Sequence, residues 1–554
     1  MAGKKSSKGG KKRDFAGKDG ISWVLYAVII ALGIAVYAYT STFDFTGFDD
    51  YKILVQEQEQ INEFADIPGS FTETFGNLYR PVLRISWIID ASIAGTDPAM
   101  YHVSNIIYHI IASCLFFMVL LRMDFSRFNS FLISALFTVH PVLTGAVAWI
   151  PGRNDSLLAI WLFLAFITMM NIYRKNRYTD HFLHYLFFAL ALFTKETAVV
   201  FPFLALFYVI FISRYKRNST RTYVVIAGWV FLSALWYQLR DAALETVSSS
   251  DITGWEAFRE NIITFPAITG KVLVPFNLSG MAVVDMFSVT IGLIMLAYFL
   301  FHIFMPGVSK ESRSRMTFGF LWFVLLLLPS LFVRMQIAPD YYDYLEHRVY
   351  LPLAGVLIML LEIFRKYGID LKKNIIGKIL IVVIILFGVR TVAYTTEFKD
   401  RLTFWSTATE KYPERANFHS VLGTYNFEEE DYQKAKLQFE KAIELTKTHD
   451  ADFYNNLGAV YAKLDQPRKA IEMYEKSFEA EPEKEIFHHL LGRLYYKTDN
   501  FEKAEKHLEQ YVKADPAAVD DRIHLISIYN QKKQYDKAID QCMKILEVDP
   551  GHFH

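Results

Sequence analysis

Up to about residue 396 the sequence is a train of apolar blocks, each 15 to 22 residues long, separated by short loops rich in Lys and Arg. Blocks of that length match the hydrocarbon thickness of a bilayer, and a water-soluble core has no use for so many of them. From residue 397 onward the character changes to Lys, Glu, Gln and Tyr. The 53% hydrophobic and 16% aromatic content is therefore concentrated in the first part. The chain reads as an all-α polytopic membrane protein: a basic tail at 1–20, a transmembrane domain at 21–396, a linker at 397–415 and a soluble helical domain at 416–554.

The formal net charge of zero hides a segregation of charge. MAGKKSSKGGKKRDF carries Lys or Arg at 4, 5, 8, 11, 12 and 13 before the first carboxylate, Asp14, and runs into the apolar ISWVLYAVIIALGIAVYAYT. A basic run abutting a span serves topology rather than nucleic acid. Without a small-residue cleavage site the span is a retained anchor. The positive-inside rule puts this end in the cytoplasm, together with the basic loops 122–127, 174–177, 214–221, 310–315 and 365–378.

Eleven spans are expected, the first at 21–40 and the others near 101–121, 130–150, 156–172, 179–193, 197–213, 222–239, 285–305, 316–333, 349–364 and 377–396. An odd number delivers the soluble domain to the non-cytoplasmic side. NIITFPAITGKVLVPFNLSG, at 261–280, holds two prolines, two glycines and a lysine. A crossing there would put KESRSR outside, so the stretch is expected to be re-entrant or interfacial. Two cysteines, Cys114 and Cys542, make no disulfide framework.

The soluble domain repeats. Ala435, Ala470, Ala504 and Ala538 recur at intervals of 35, 34 and 34, Gly423, Gly458 and Gly492 precede the first three by twelve, and Pro482, Pro516 and Pro550 follow the last three by twelve. Three marker types in one phase, with Phe439, Tyr474 and Leu508 four residues after the alanines, form the pattern of about four tetratricopeptide (TPR) repeats. Such a stack offers a concave surface to a peptide or partner protein; a spacer or stabilising cap is its alternative use. Tethered after the last span, it stays near whatever the membrane domain presents on that side.

Ionisable residues near a bilayer are costly and mark cavities or sites. Asp49 and Asp50, in DFTGFDDYK, follow the first span within a large outer loop at 41–100. Lys195 and Glu196 form an outer turn after a block too short to span at full thickness. His140 with Pro141 interrupts the third span, and Arg153 with Asp155 closes that stretch. Asp340, Asp343, Glu346, His347 and Arg348 crowd one outer loop. His102, Asn105 and His109 share a helical face, as ligands or as interhelical hydrogen-bonding groups. With Arg80 and Arg84, the outer face combines an acid pair with a ring of cations, an anion site beside a base. A lipid-linked sugar phosphate fits it: cations hold the phosphate and stabilise the charge growing on it, while one carboxylate serves the acceptor hydroxyl. A single displacement inverts the anomeric carbon. No cofactor and no metal are expected, because the cations serve a monophosphate donor.

FDD at 48–50, YRP at 79–81, HxxNxxxH at 102–109, HP with VAWIPGR at 140–153, KE at 195–196, EHRVYLP at 346–352 and the repeats appear in an order that resembles the GT-C superfamily of membrane glycosyltransferases, and within it the TMTC-type protein O-mannosyltransferases. The resemblance implies that Asp49 and Asp50 match the catalytic motif, with Asp50 preferred as base. It also implies a polyprenyl- or dolichyl-phosphate sugar, commonly mannose, as donor and Ser or Thr of exported proteins as acceptor. Arg80, His102, His109, His140, Arg153, Lys195, Glu196, Glu346, His347 and Arg348 are the candidates for donor-phosphate and substrate binding. The short repeat array departs from the vertebrate members, and the lysine-rich start, compact size and EHRVYLP form look like those of a bacterial member in the cell (inner) membrane with periplasmic repeats. An endoplasmic-reticulum protein with lumenal repeats shares the topology. Two alternatives stand beside this one: transfer to a glycolipid or lipid A-like saccharide, against which the repeats argue, and a non-catalytic membrane-anchored TPR scaffold.

Overall fold

Helices are the natural state of the apolar blocks, since a chain inside a bilayer must satisfy its backbone polar groups internally. A computed structural model describes residues 19–554 except 57, 59–60, 62, 76–77, 214–218, 245–251, 282–283, 335–345, 447–449, 550 and 552–554. Most of the basic tail and the loop residues Asp340 and Asp343 thus lie outside the described residues. The chain divides into two compact units, residues 1–401 and 402–554. Strand pairing among the described residues is confined to Ile252–Thr253 with Val333–Arg334.

All eleven expected spans are helical in the first unit. Eight of these helices are long and apolar enough to cross a membrane, nine if Arg127–Thr138 and Pro141–Val147, bent by 50° at His140–Pro141, count as one span. The other two, Tyr178–Leu192 and Glu196–Phe211, are shorter. Polar residues set several starts: Asp97 accepts from Ala99 N, Ser126 from Asn129 N, Asp285 from Ser288 N, Ser309 from Ser312 N and Asn374 from Ile376 N. Each cap satisfies a backbone donor that the first turn leaves open.

The 261–280 stretch holds one helix, Thr264–Leu273. Ten residues rise about 15 Å, half the hydrocarbon thickness, so this helix cannot cross. It packs on Met286–Phe304 so closely that a Cβ on Gly270 would sit 1.9 Å from the Ser288 carbonyl oxygen. Between the first two long helices, helix Pro81–Ala94 buries Leu83, Trp87 and Ile88 against Phe45, Leu54 and Tyr101.

In the second unit, helix Arg401–Lys411 occupies much of the expected linker 397–415, and four helical hairpins follow between Ala416 and Val548. The small residues sit where two helices touch: a Cβ on Gly423, Gly458 or Gly492 would meet Phe439, Tyr474 or Leu508 within 3.0 Å. Between the two helices of each hairpin one non-glycine residue, Glu430, Asp465, Asp499 or Lys533, takes a positive φ of 52–61°. Tyr461 donates to Glu440, Tyr495 to Glu475 and Tyr529 to Glu509, with Lys469, Lys503 and Lys537 over the same rings, so one staple joins successive repeats.

Candidate functional site

One end of the first unit gathers most of the motif residues. Helices Pro98–Arg122, Arg153–Lys175 and Tyr350–Lys366 begin there, and Tyr178–Leu192 and Ile375–Thr395 end there. The FDD turn is fixed locally. Asp50 is buried, accepting from Thr46 N at 2.7 Å, Thr46 Oγ1 at 2.9 Å and Tyr51 N at 2.9 Å. Burial pushes its carboxyl above the ordinary range, against the pull of those hydrogen bonds. Asp49 is only half-buried.

From this turn a chain of contacts runs through four other motifs. Phe48 stacks on Trp149 at 5.6 Å, and Trp149 packs on His347 at 5.3 Å. His347 Nε2 stands 3.6 Å from Asp155 Oδ2, whose other oxygen accepts from Lys195 Nζ at 2.7 Å; Asn154 also accepts from Lys195, at 3.0 Å. Glu196, next to Lys195, receives Arg80 through two hydrogen bonds of 2.6 and 3.1 Å. Arg80 and Arg348 are close enough to Asp155 to act on its charge. Burial lowers the Lys195 ammonium below its ordinary value, and Asp155 opposes that shift. Two carboxylates, Asp155 and Glu196, face three basic side chains, Arg80, Lys195 and Arg348. That excess suits an anion.

Five other candidates hold the scaffold. Arg153, fully buried, donates to Asn105 Oδ1 at 2.7 Å, to Asp90 Oδ2 at 2.5 Å, to the Tyr101 carbonyl at 2.8 Å and to Ser86. It ties the outer-loop helix to two spans. Glu346 is clamped by Lys271 at 2.8 Å, Ser279 N at 3.3 Å and Tyr394 OH at 3.1 Å. His109 bridges the Tyr350 hydroxyl and the Thr138 carbonyl, which is the hydrogen-bonding alternative for that helical face. His140 Nδ1 accepts from Val142 N, capping the turn after the bend, so Nε2 carries the proton given to the Val272 carbonyl. His102 is buried edge-on against Phe43, beside the Asp44 backbone. Arg348 is half-buried and donates to the Ser330 carbonyl at 3.4 Å.

Sequence reasoning assigned no role to Trp149, Asn154 or Phe48, and it noted Asp155 beside Arg153 without placing it among the binding residues. Trp149 and Phe48 lie inside quoted motifs, and Asp155 lies two residues beyond one, so the signal was adjacency. Lys271 pairs with Glu346 across 75 positions, and no local signal announced it. Among the described residues no group of three or more His, Cys, Asp and Glu is placed to hold a metal ion.

Residues 449–517 and 489–552 match tetratricopeptide repeat families. The solved structure of YrrB, a TPR protein, is 24% identical, covering 28% of this chain and 78% of that one with a TM-score of 0.26. A protein O-mannosyl-transferase of Caenorhabditis elegans is 24% identical over 388 residues, 67% of this chain and 54% of that protein. Tmtc1 of Drosophila melanogaster is 29% identical over 188 residues, 33% of this chain and 21% of that protein. TMTC2 of Homo sapiens is 29% identical over 148 residues, 25% and 17% respectively. A match of 388 residues is longer than the whole second unit, so it reaches into the membrane-type part. The chain spans about half the length of the nematode relative and less of the others. Its curated homologues are TMTC-type protein O-mannosyl-transferases, and this chain itself combines apolar helices of membrane length with TPR repeats.

Proposed function

We propose that this chain is a glycosyltransferase that moves a hexose, mannose by the names of its relatives, from a polyprenyl-phosphate-linked donor to Ser or Thr hydroxyls of proteins on the non-cytoplasmic face of its membrane. The observation that carries the reading is the contact chain from Phe48 through Trp149, His347 and Asp155 to Lys195, which sets the acid turn and the cation cluster at one end of the helices. An acid pair alone fits many proteins; an acid pair at an anion site beside helices of membrane length fits few.

In this mechanism Lys195, Arg80 and Arg348 hold the donor phosphate and take up the negative charge that grows as the bond from the anomeric carbon to the phosphate oxygen breaks. A carboxylate accepts the hydroxyl proton as the acceptor oxygen attacks that carbon from the opposite side. Lipid phosphate leaves without needing a proton. Asp50 fixes the geometry of the turn through Thr46 and Tyr51, and we assign the proton to Asp49, the more exposed of the two carboxylates. The sequence alone favours Asp50 for that role. The repeats supply a surface for the protein acceptor.

Purified protein, synthetic polyprenyl-phosphate mannose and Ser/Thr-containing acceptor polypeptides test the proposal. Transfer should be lost about 10²–10⁴-fold in Asp49→Asn. Full transfer by Asp49→Asn and Asp50→Asn alike, or modification of a glycolipid with proteins untouched, would overturn it.

A further inference from the structure

At the opposite end of the same helices lies a cavity of about 960 Å³ that the transfer reaction does not use. Helix Arg153–Lys175 carries Asp155 near one end and Arg174 near the other, and the rise between them is about 28 Å, so the two sites are separated by roughly the hydrocarbon thickness of a bilayer. Five arginines line the cavity, Arg122, Arg127, Arg174, Arg315 and Arg365, together with two carboxylates, Asp124 and Asp370. Its remaining wall includes the apolar Met169, Met170 and Leu361.

Topology alone does not account for this arrangement. Positive-inside charge is served equally by Lys and Arg in open loops, and Lys175, Lys366 and Lys372 lie in these loops. Yet no lysine is among the lining residues that are described. Arginine offers a planar fork that matches phosphate oxygens, which lysine does not. Burial points the same way. Arg315 is 2% exposed; it donates to the Met123 carbonyl at 2.8 Å and to Glu311 at 3.0 Å, and its buried Nε has no partner among the described residues. Arg122 is held by Asn171 at 2.6 Å, and Arg365 lies over the Phe125 ring while paired with Glu362. These guanidinium groups are fixed around a hollow of ligand size.

We propose that this cavity is a second phosphate site, taking the phosphate headgroup of an anionic membrane lipid from the leaflet opposite the transfer site. Arginines meet the headgroup and the methionine and leucine side chains meet its first methylenes. A soluble phosphate shares the headgroup chemistry, and the test separates the two sources. Full-length protein in neutral detergent is melted with added dioleoylphosphatidylglycerol, with dioleoylphosphatidylcholine, and with inorganic phosphate, alongside Arg122→Gln/Arg174→Gln. The expected result is a rise in Tm with phosphatidylglycerol beyond that with phosphatidylcholine, and a need for at least about tenfold more lipid in the double variant. A variant-sensitive rise with inorganic phosphate alone would support the phosphate site and assign it a soluble ligand. Equal lipid responses in both proteins, or no response to either probe, would overturn it. Should the double variant fail to fold, Arg174→Gln alone, at an exposed position, carries the same comparison.

Discussion

Asp155 takes Lys195 on one oxygen at 2.7 Å and faces His347 at 3.6 Å with the other, both partners nearly buried. An alkyl side chain there removes both the charge and the hydrogen-bond acceptor that Lys195 needs, whereas an amide removes only the charge and keeps the shape and one acceptor oxygen. Asp155→Leu should therefore destabilise the protein by about 3–5 kcal/mol, because the Lys195 ammonium stays buried without its counter-ion. Asp155→Asn should fold better and still lose transfer, since Lys195 and His347 lose the charge that aims them. Melting curves and transfer rates on the two variants check this, and equal effects on both readouts would dissociate Asp155 from the site. Asp50 invites a pH test. Its raised carboxyl means that the folded state holds a proton more tightly than the unfolded one, so wild type gains stability relative to Asp50→Asn as pH falls from its raised value toward the ordinary carboxylate value of about 4. Melting both proteins between pH 7 and 4 measures the difference; a constant difference would contradict the burial of that carboxylate. At this scale the sequence was readable where charges stand in turns, as with Asp49, Asp50, Lys195 and Glu196. It was mute where one buried group answers another far away, as Asp90 answers Arg153 across 63 positions and Lys271 answers Glu346.

Elements were more legible than residues because length and hydropathy are properties of a whole segment. The apolar blocks became helices, one of them broken at His140, and the repeat phase named the contacts within the first three TPR hairpins. The stretch 261–280 shows both the power and the limit of such reasoning. Its prolines and glycines signalled that it does not cross, but not that Gly270 and Gly292 allow helix Thr264–Leu273 to lie backbone against backbone on Met286–Phe304. That approach carries Lys271 to Glu346. Gly270→Ala places a methyl group where the Ser288 carbonyl oxygen stands 1.9 Å away, so the helices must separate. The expected cost is about 1–3 kcal/mol, with faster amide exchange in 264–273 and weaker seating of Glu346. Gly388→Ala, on helix Ile375–Thr395, is the matched control, since its Cβ would meet only Val36 and Val139 at 3.8 and 4.0 Å, ordinary van der Waals contact. If Gly270→Ala melts no lower than Gly388→Ala, the close contact does not hold this part of the fold.

The whole molecule joins two units of different solvents, and each has its own core: aromatic and aliphatic side chains beneath the outer loop in the first, and the Ala–Phe/Tyr/Leu ladder of the repeats in the second. A repeat stack draws its stability from neighbour-to-neighbour interfaces, so residues 402–554 should fold when expressed alone. The Tyr–Glu–Lys staples between repeats make the prediction sharper. Tyr495→Phe breaks the hydrogen bond to Glu475 in the middle staple while leaving the ring that Lys503 covers, and should lower stability by about 1 kcal/mol. Circular dichroism during urea unfolding checks both statements, and a fragment without a cooperative transition would show that the repeats depend on the membrane unit. The division of labour proposed for the two units has a kinetic signature. If the repeats serve the acceptor and the membrane unit the chemistry, a chain ending at residue 411 should turn over short Ser/Thr peptides at a kcat close to that of the full chain. Its KM for protein acceptors should rise, because the second unit contributes binding and no reacting group. A fall in kcat on short peptides with KM unchanged would instead make the repeats part of the catalytic framework, and the acceptor-binding role would pass to the outer face of the membrane unit.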